Sequence, residues 1–219
     1  MQKEAPREQS RASQVAGYVG WQIRRLTESG NEAAARAALA RLRRGIGKPP
    51  GSLPELWGET LGGMPEALVG KGGQPSWGEW ASYIAITLFA LHQQGKDWKT
   101  DSVNREGETL GRAVRRLIAS PDDEIRVKRR FDQVITSDGP EEAANHLRGL
   151  VQLLKAADVP LDYPALAADL YRYQIDNERD GVRLRWGRDY YTGQAAGNLV
   201  EVTEDQTEND QMEGEDHDE

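Results

Sequence analysis

The chain has 219 residues, 36 acidic against 28 basic side chains, a formal net charge of −8 and no cysteine. That length holds one large domain or two small ones, and the missing thiols exclude disulfides, a cysteine nucleophile and cysteine-bound metal. No apolar run approaches the roughly 18 residues of a spanning helix, and the first residues lack a secretory apolar core, so a soluble, cytoplasmic protein without membrane contact is expected.

Taken in chain order, helical signals dominate. Residues 12–28 place Val15, Val19 and Ile23 on one face. Asn31 is positioned to cap a second helix, "EAAARAALARLRRG", stopped by Gly45, Gly47 and a Pro pair. Residues 46–75 are rich in Gly and Pro, with one short helix around "LPELWGETL". Ser76 then opens and Gly95 closes a helix that is apolar on most sides, which marks it as central and buried. The polar, aperiodic "KDWKTDSVNRE" (96–106) suits a lobe boundary. Four further helices follow, at about 107–119, 121–137, 140–157 and from Asp162-Tyr163-Pro164 to Tyr191, the last with a break near Gly181. The expected architecture is all-α, two consecutive helical bundles. These are an N-terminal lobe (12–98) and a C-terminal lobe (107–192) joined by a linker (99–106), with disordered ends at 1–11 and 193–219.

Charge is unevenly spread. Residues 199–219 hold ten acids and no Lys or Arg, which leaves 26 acids against 28 bases in residues 1–198. Such a tail either solubilises the protein or acts as a tethered polyanion that competes for its basic surface. Basic side chains concentrate in "LGRAVRRLIASPDDEIRVKRRF" (110–131). At about 100° per residue, Arg112, Arg115 and Arg116 fall opposite Leu110, Val114 and Leu117. Arg126, Arg129 and Arg130 similarly leave the face of Val127, Phe131 and Val134. Packed as an antiparallel hairpin, the two helices would merge these arginines into one patch. Two readings are open. One is a solvated surface with local pairs such as Glu124–Lys128; the other is a phosphate-binding face, for which the planar fork of arginine is suited. Arg36, Arg41, Arg43 and Arg44 form a second cluster. A third mixes Arg179, Arg183, Arg185 and Arg188 with Trp186, Tyr190 and Tyr191, aromatics that either stack bases or pack the core.

Chemical signatures are absent. There is no HExxH, Walker loop, GxSxG or dinucleotide fingerprint, "LVGKGGQP" lacks the ending of a phosphate loop, and the three histidines are far apart. No cofactor, metal or catalytic role is expected.

The order of "VGWQIRRL", "LARLRRG", "LHQQGK", "LGRAVRRL", "RRFDQVI", "HLRGLVQLLK", "VPLDYPALAADLYRY" and "WGRDYY" resembles the CasB family, the small subunit of the type I-E CRISPR surveillance complex Cascade. The resemblance covers about residues 12–192. It implies an all-helical, two-lobed, non-catalytic protein that associates with a second copy of itself and with other Cascade subunits. Its role would be to support guide RNA and the target DNA strand, and to help hold the displaced non-target strand, in antiviral defence. Family basic positions correspond to Arg43, Arg44, Arg112, Arg130 and Arg148; the helical faces add Arg115, Arg116, Arg126 and Arg129. Gly149 and Gly139 stand where some members are basic. A helical adaptor docking acidic partner surfaces is the alternative, whereas the tight turn and reading helix of a DNA-binding helix-turn-helix are not evident.

Overall fold

The computed structural model describes residues 10–201, with side chains as far as Thr192. α1 (Arg11–Thr27) begins where Ser10 Oγ accepts from the Ser13 N–H, and α2 (Glu32–Arg43) where Asn31 Oδ1 accepts from Ala34. Each cap satisfies an amide that the first helical turn leaves without a partner. The Gly/Pro stretch yields a 3-10 turn at Pro54–Leu56 and a single turn, α3 (Trp57–Thr60). α4 (Trp77–His92) opens on a reciprocal cap between Ser76 and Glu79, and every residue from Ala81 to Ala90 is buried.

The second half contains α5 (Leu110–Arg115), α6 (Pro121–Ile135), α7 (Pro140–Ala156), α8 (Tyr163–Tyr173) and α9 (Asp176–Glu201). α5 is shorter than the spacing suggests. The chain before it turns at Gly107 (φ +81°), whose N–H bonds Asp162 Oδ2, and residues after Arg115 leave by tighter turns, Leu117 N–H to Val114 O and Ile118 N–H to Arg115 O. The break expected near Gly181 lies instead at Gln174–Ile175, where the Gln174 amide donates to Trp77 O and Leu170 O. Gly181 sits inside α9, where its missing side chain costs about 1 kcal/mol of helix propensity. α9 extends to Glu201, into the stretch assigned to the tail; residues 1–9 and 202–219 of the two expected disordered ends lie outside the described residues.

An all-round apolar α4 needs cover on every side, and it receives α1, α2, α7 and α8. Helices assigned to the two lobes therefore share one continuous core, running from Ala12 and Val15 through Phe89 to Leu147, Trp186 and Tyr190, with α1 laid along α8. Residues 99–106 form a seam between them. Val103 is buried, its carbonyl accepts from Leu161 N–H at 2.9 Å, and Asn104 Oδ1 accepts from Tyr163 N–H at 3.0 Å. Among the described residues no helix is long and apolar enough to cross a membrane.

His92 shows what that shared core demands. It is fully buried, with Nδ1 3.0 Å from Tyr163 Oη, and burial together with the Lys96 and Lys155 charges lowers its pKa from 6.5 to about 4. The folded state thus prefers neutral His92. Its contribution is complete above pH 6.5 and drains away as pH falls from 6.5 towards about 4, a loss of about 3 kcal/mol. Urea midpoints at pH 7 and 4.5 should fall further for the native chain than for His92→Gln; equal falls would show that His92 does not carry the acid sensitivity.

Candidate nucleic-acid interface

The "LGRA" stretch is α5, and its letters divide between packing and charge. Leu110, Ala113 and Val114 are buried. Gly111 faces α9 so closely that a β-carbon there would lie 2.2 Å from Trp186 O and 2.9 Å from Tyr190 N. Arg112 and Arg116 point outward. Arg112 Nη1 donates to Gly107 O at 3.2 Å, with Nε 4.0 Å from Asp189, and Arg116 pairs with Glu108 at 3.0 Å. Arg115, expected outside, is only half exposed, and its Nη1 is shut from solvent without a hydrogen-bond partner. The cause is α9, which the Gly111 contact draws over that flank. Tyr190 beside it is likewise buried with an unpartnered hydroxyl; burial raises its pKa, and the Arg115 charge opposes the rise.

α6 buries Val127, Phe131 and Val134. Arg126 is engaged by Asp123, whereas Arg129 and Arg130 are exposed and make no ion pair among the described residues. The two helices do not pack chiefly on each other as a hairpin: α5 packs mainly on α9 and α6 mainly on α7. Arg126 and Arg130 instead line a groove of about 290 Å³ with Leu117, Leu153 and Ala157, on the α6 side of α7.

A second basic surface lies across α7. With about 100° between successive residues, Arg148 and Lys155 share one flank of this helix, whereas Leu153 and Ala157 share the opposite flank, towards α6. Lys155 Nζ bonds Gln94 Oε1 at 3.2 Å. Gln94 in turn lines a hollow of about 440 Å³ with Arg36, Arg43, Lys96 and Trp98. Arg36 stacks over the Trp98 ring at 5.7 Å, and Arg43 and Arg148 have no ion pair among the described residues. Arg44 turns away towards Glu55 at 3.6 Å. The third sequence cluster resolves mostly into packing. Trp186 and Tyr190 are in the core, while Arg185 and Trp186 Nε1 grip buried Asp169 at 2.5 and 2.7 Å. Arg179 and Arg183 stack on Tyr173. Arg188 is exposed, and Tyr191 alone of these aromatics is exposed with it.

The structure therefore brings Arg126 and Arg130 to one groove, places Arg43 in the hollow beside Gln94 and Arg148 on the flank of α7 that carries Lys155, and leaves Arg129 outward and Arg112 and Arg116 beside α9. Sequence reasoning did not single out half-exposed Lys155. It stands seven residues after Arg148, a same-face spacing that could have flagged it. Exposed pairs such as Arg116–Glu108 are worth under about 1 kcal/mol and exchange readily for phosphate, so pairing ranks these arginines without removing any. No group of His, Asp or Glu among the described residues is arranged to hold a metal ion.

Residues 38–191 match the sequence family described as CRISPR-associated protein Cse2. Among solved structures, CasB from Thermobifida fusca is similar with 34% identity and a TM-score of 0.67, over 81% of this chain and 97% of that one. A Cse2-family CRISPR-associated protein from Thermus thermophilus is similar at 27% identity and TM-score 0.59, with the same coverage. M. ruber CasB, at 23% identity and TM-score 0.61 over 88% of this chain and 99% of its own, shares the fold. No curated protein matches.

Proposed function

Because the chain belongs to the CRISPR-associated Cse2 family, we propose that it is the non-catalytic small subunit of a type I-E Cascade complex, holding nucleic-acid strands by arginine–phosphate contacts. In this reading the subunit sits with other Cascade subunits and a second copy of itself in the cytoplasm. It supports guide RNA and target strand and steadies the displaced strand, in antiviral defence. The observation that carries the reading is the set of solvent-accessible arginines without carboxylate partners, Arg43, Arg129, Arg130 and Arg148, on a chain matched to that family over most of its length. Arg44, Arg112, Arg116 and Arg126 supplement them, and half-exposed Arg115 stands beside them on α5.

The physical logic is modest per contact. Exchanging a DNA duplex for a guide–target heteroduplex is nearly balanced in free energy, so protein contacts to backbones can tip it. Guanidinium–phosphate contacts release counterions and read no bases, which makes the gain salt-dependent and sequence-independent. Arg112→Ala with Arg130→Ala should shorten R-loop lifetime to a similar degree on unrelated targets and flatten its dependence on salt. Loss confined to certain sequences, or an unchanged salt slope, would argue against backbone contact. A helical adaptor would instead keep its partner without RNA and fail to shift single-stranded DNA in a gel.

A further inference from the structure

We propose that a trough at the N-terminal end of α4, separate from the arginine surfaces, docks an extended partner-protein segment with an aliphatic or aromatic anchor flanked by carboxylates. The trough is built from apolar side chains that the fold leaves uncovered. Trp77 is 48% exposed and Val69 42%, and the Trp77 ring stands edge-on to Tyr171 at 6.3 Å. With Pro75 they bound a groove of about 480 Å³ that continues past Trp77 into a second hollow of about 320 Å³. Neighbouring exposed apolar groups in a concave site mark interaction surfaces, whereas scattered ones do not.

Charge selects the occupant. Arg11 and Lys71 stand on the rim, and neither makes an ion pair among the described residues. Of the nearby carboxylates, Glu79 is already committed, one oxygen accepting from Gly70 N–H and the other from Ser76 N–H, and Asp138 lines only the second hollow, together with Arg179, not the groove that Arg11 and Lys71 rim. An apolar floor with uncompensated cations at its edge fits an apolar side chain between acidic ones. It suits a nucleic-acid backbone poorly, since phosphates would need cations along the whole track. A two-fold contact with a second copy would bring a second set of the same two cations, and no new carboxylate rim, onto the same patch.

The test uses the full chain. A random dodecapeptide library displayed on phage is panned against it, and the enriched consensus is synthesised with a fluorescent label for anisotropy. The expected consensus carries Leu, Ile or Phe beside Asp or Glu and binds at about 10–100 μM. Val69→Asp and Lys71→Glu should each weaken it at least tenfold while leaving affinity for single-stranded DNA unchanged, which separates this site from the arginine surfaces. The proposal is overturned by enrichment of non-acidic peptides or of none, or by equal binding to both variants and the native chain. A thymidine oligonucleotide that displaces the peptide would also overturn it, as would a shift in the mass of the free chain by light scattering on Val69→Asp, which would mark a contact between copies.

Discussion

Replacing Gly111 with alanine is expected to destabilise the protein by about 3 kcal/mol, lowering Tm by roughly 10 °C, even though alanine is the better helix former. The new methyl would meet backbone, at 2.2 Å from Trp186 O, with Asp189 Cβ at 2.8 Å. No rotamer change relieves a clash with a carbonyl, so α5 and α9 must separate. That movement opens the stack of Tyr190 on Phe131, whose ring centroids are 5.4 Å apart, and draws Arg112 from Asp189. Single-stranded DNA affinity should fall along with stability. Gly181, on the same helix α9, has no atom within 4 Å of its would-be β-carbon. Gly181→Ala should therefore stabilise by up to about 1 kcal/mol, through propensity and the entropy of the unfolded chain. Opposite signs for one chemical change, read by thermal melts, would establish that close approach and not glycine as such governs the α5–α9 contact. Two stabilising outcomes would refute the close approach.

That contrast also explains what the sequence could disclose. Caps were legible because they are local: Asn31, Ser76 and Asp162 each accept from an amide three residues on. The burial of α4 was legible too, since a helix apolar on all sides has nowhere else to be. Helical periodicity, however, gives only an azimuth about a helix's own axis. It put Arg115 opposite Leu110 and Val114, but could not reveal that α9 would lie over that flank. It made hairpin packing of the arginine helices plausible, yet the pairing of α5 with α9 depends on a glycine contact between Gly111 and Trp186, distant positions with no local signal linking them. The break at Gln174 was hidden for a similar reason. Gln174 holds Trp77 O across the fold, whereas Gly181 merely looked like a helix breaker.

Reversing charge on the two sides of α7 should have multiplicative effects. Arg129→Glu with Arg130→Glu alters α6, whose Arg130 lines the groove on that side of α7, and Arg43→Glu with Arg148→Glu alters the hollow beside Gln94 and Trp98 and the far flank of α7. None of the four has a carboxylate partner among the described residues, so each variant loses a contact without freeing a buried acid. Each single-strand phosphate contact contributes about 0.7 to the slope of log affinity against log salt. Two lost contacts, plus the repulsion of two new carboxylates, amount to roughly 30- to 100-fold at 0.1 M salt, with the slope flattened by about 1.4. Acting as independent sites, the two surfaces should in the quadruple variant lose about the product of the two factors on a long single strand. A quadruple variant no weaker than the worse double variant would mean that one side binds and the other is bystander. The ranking of losses would then identify which side of α7 faces the strand. Arg44 and Arg116 supply the calibration: phosphate must first displace Glu55 or Glu108, so their alanine variants should each cost less than about tenfold.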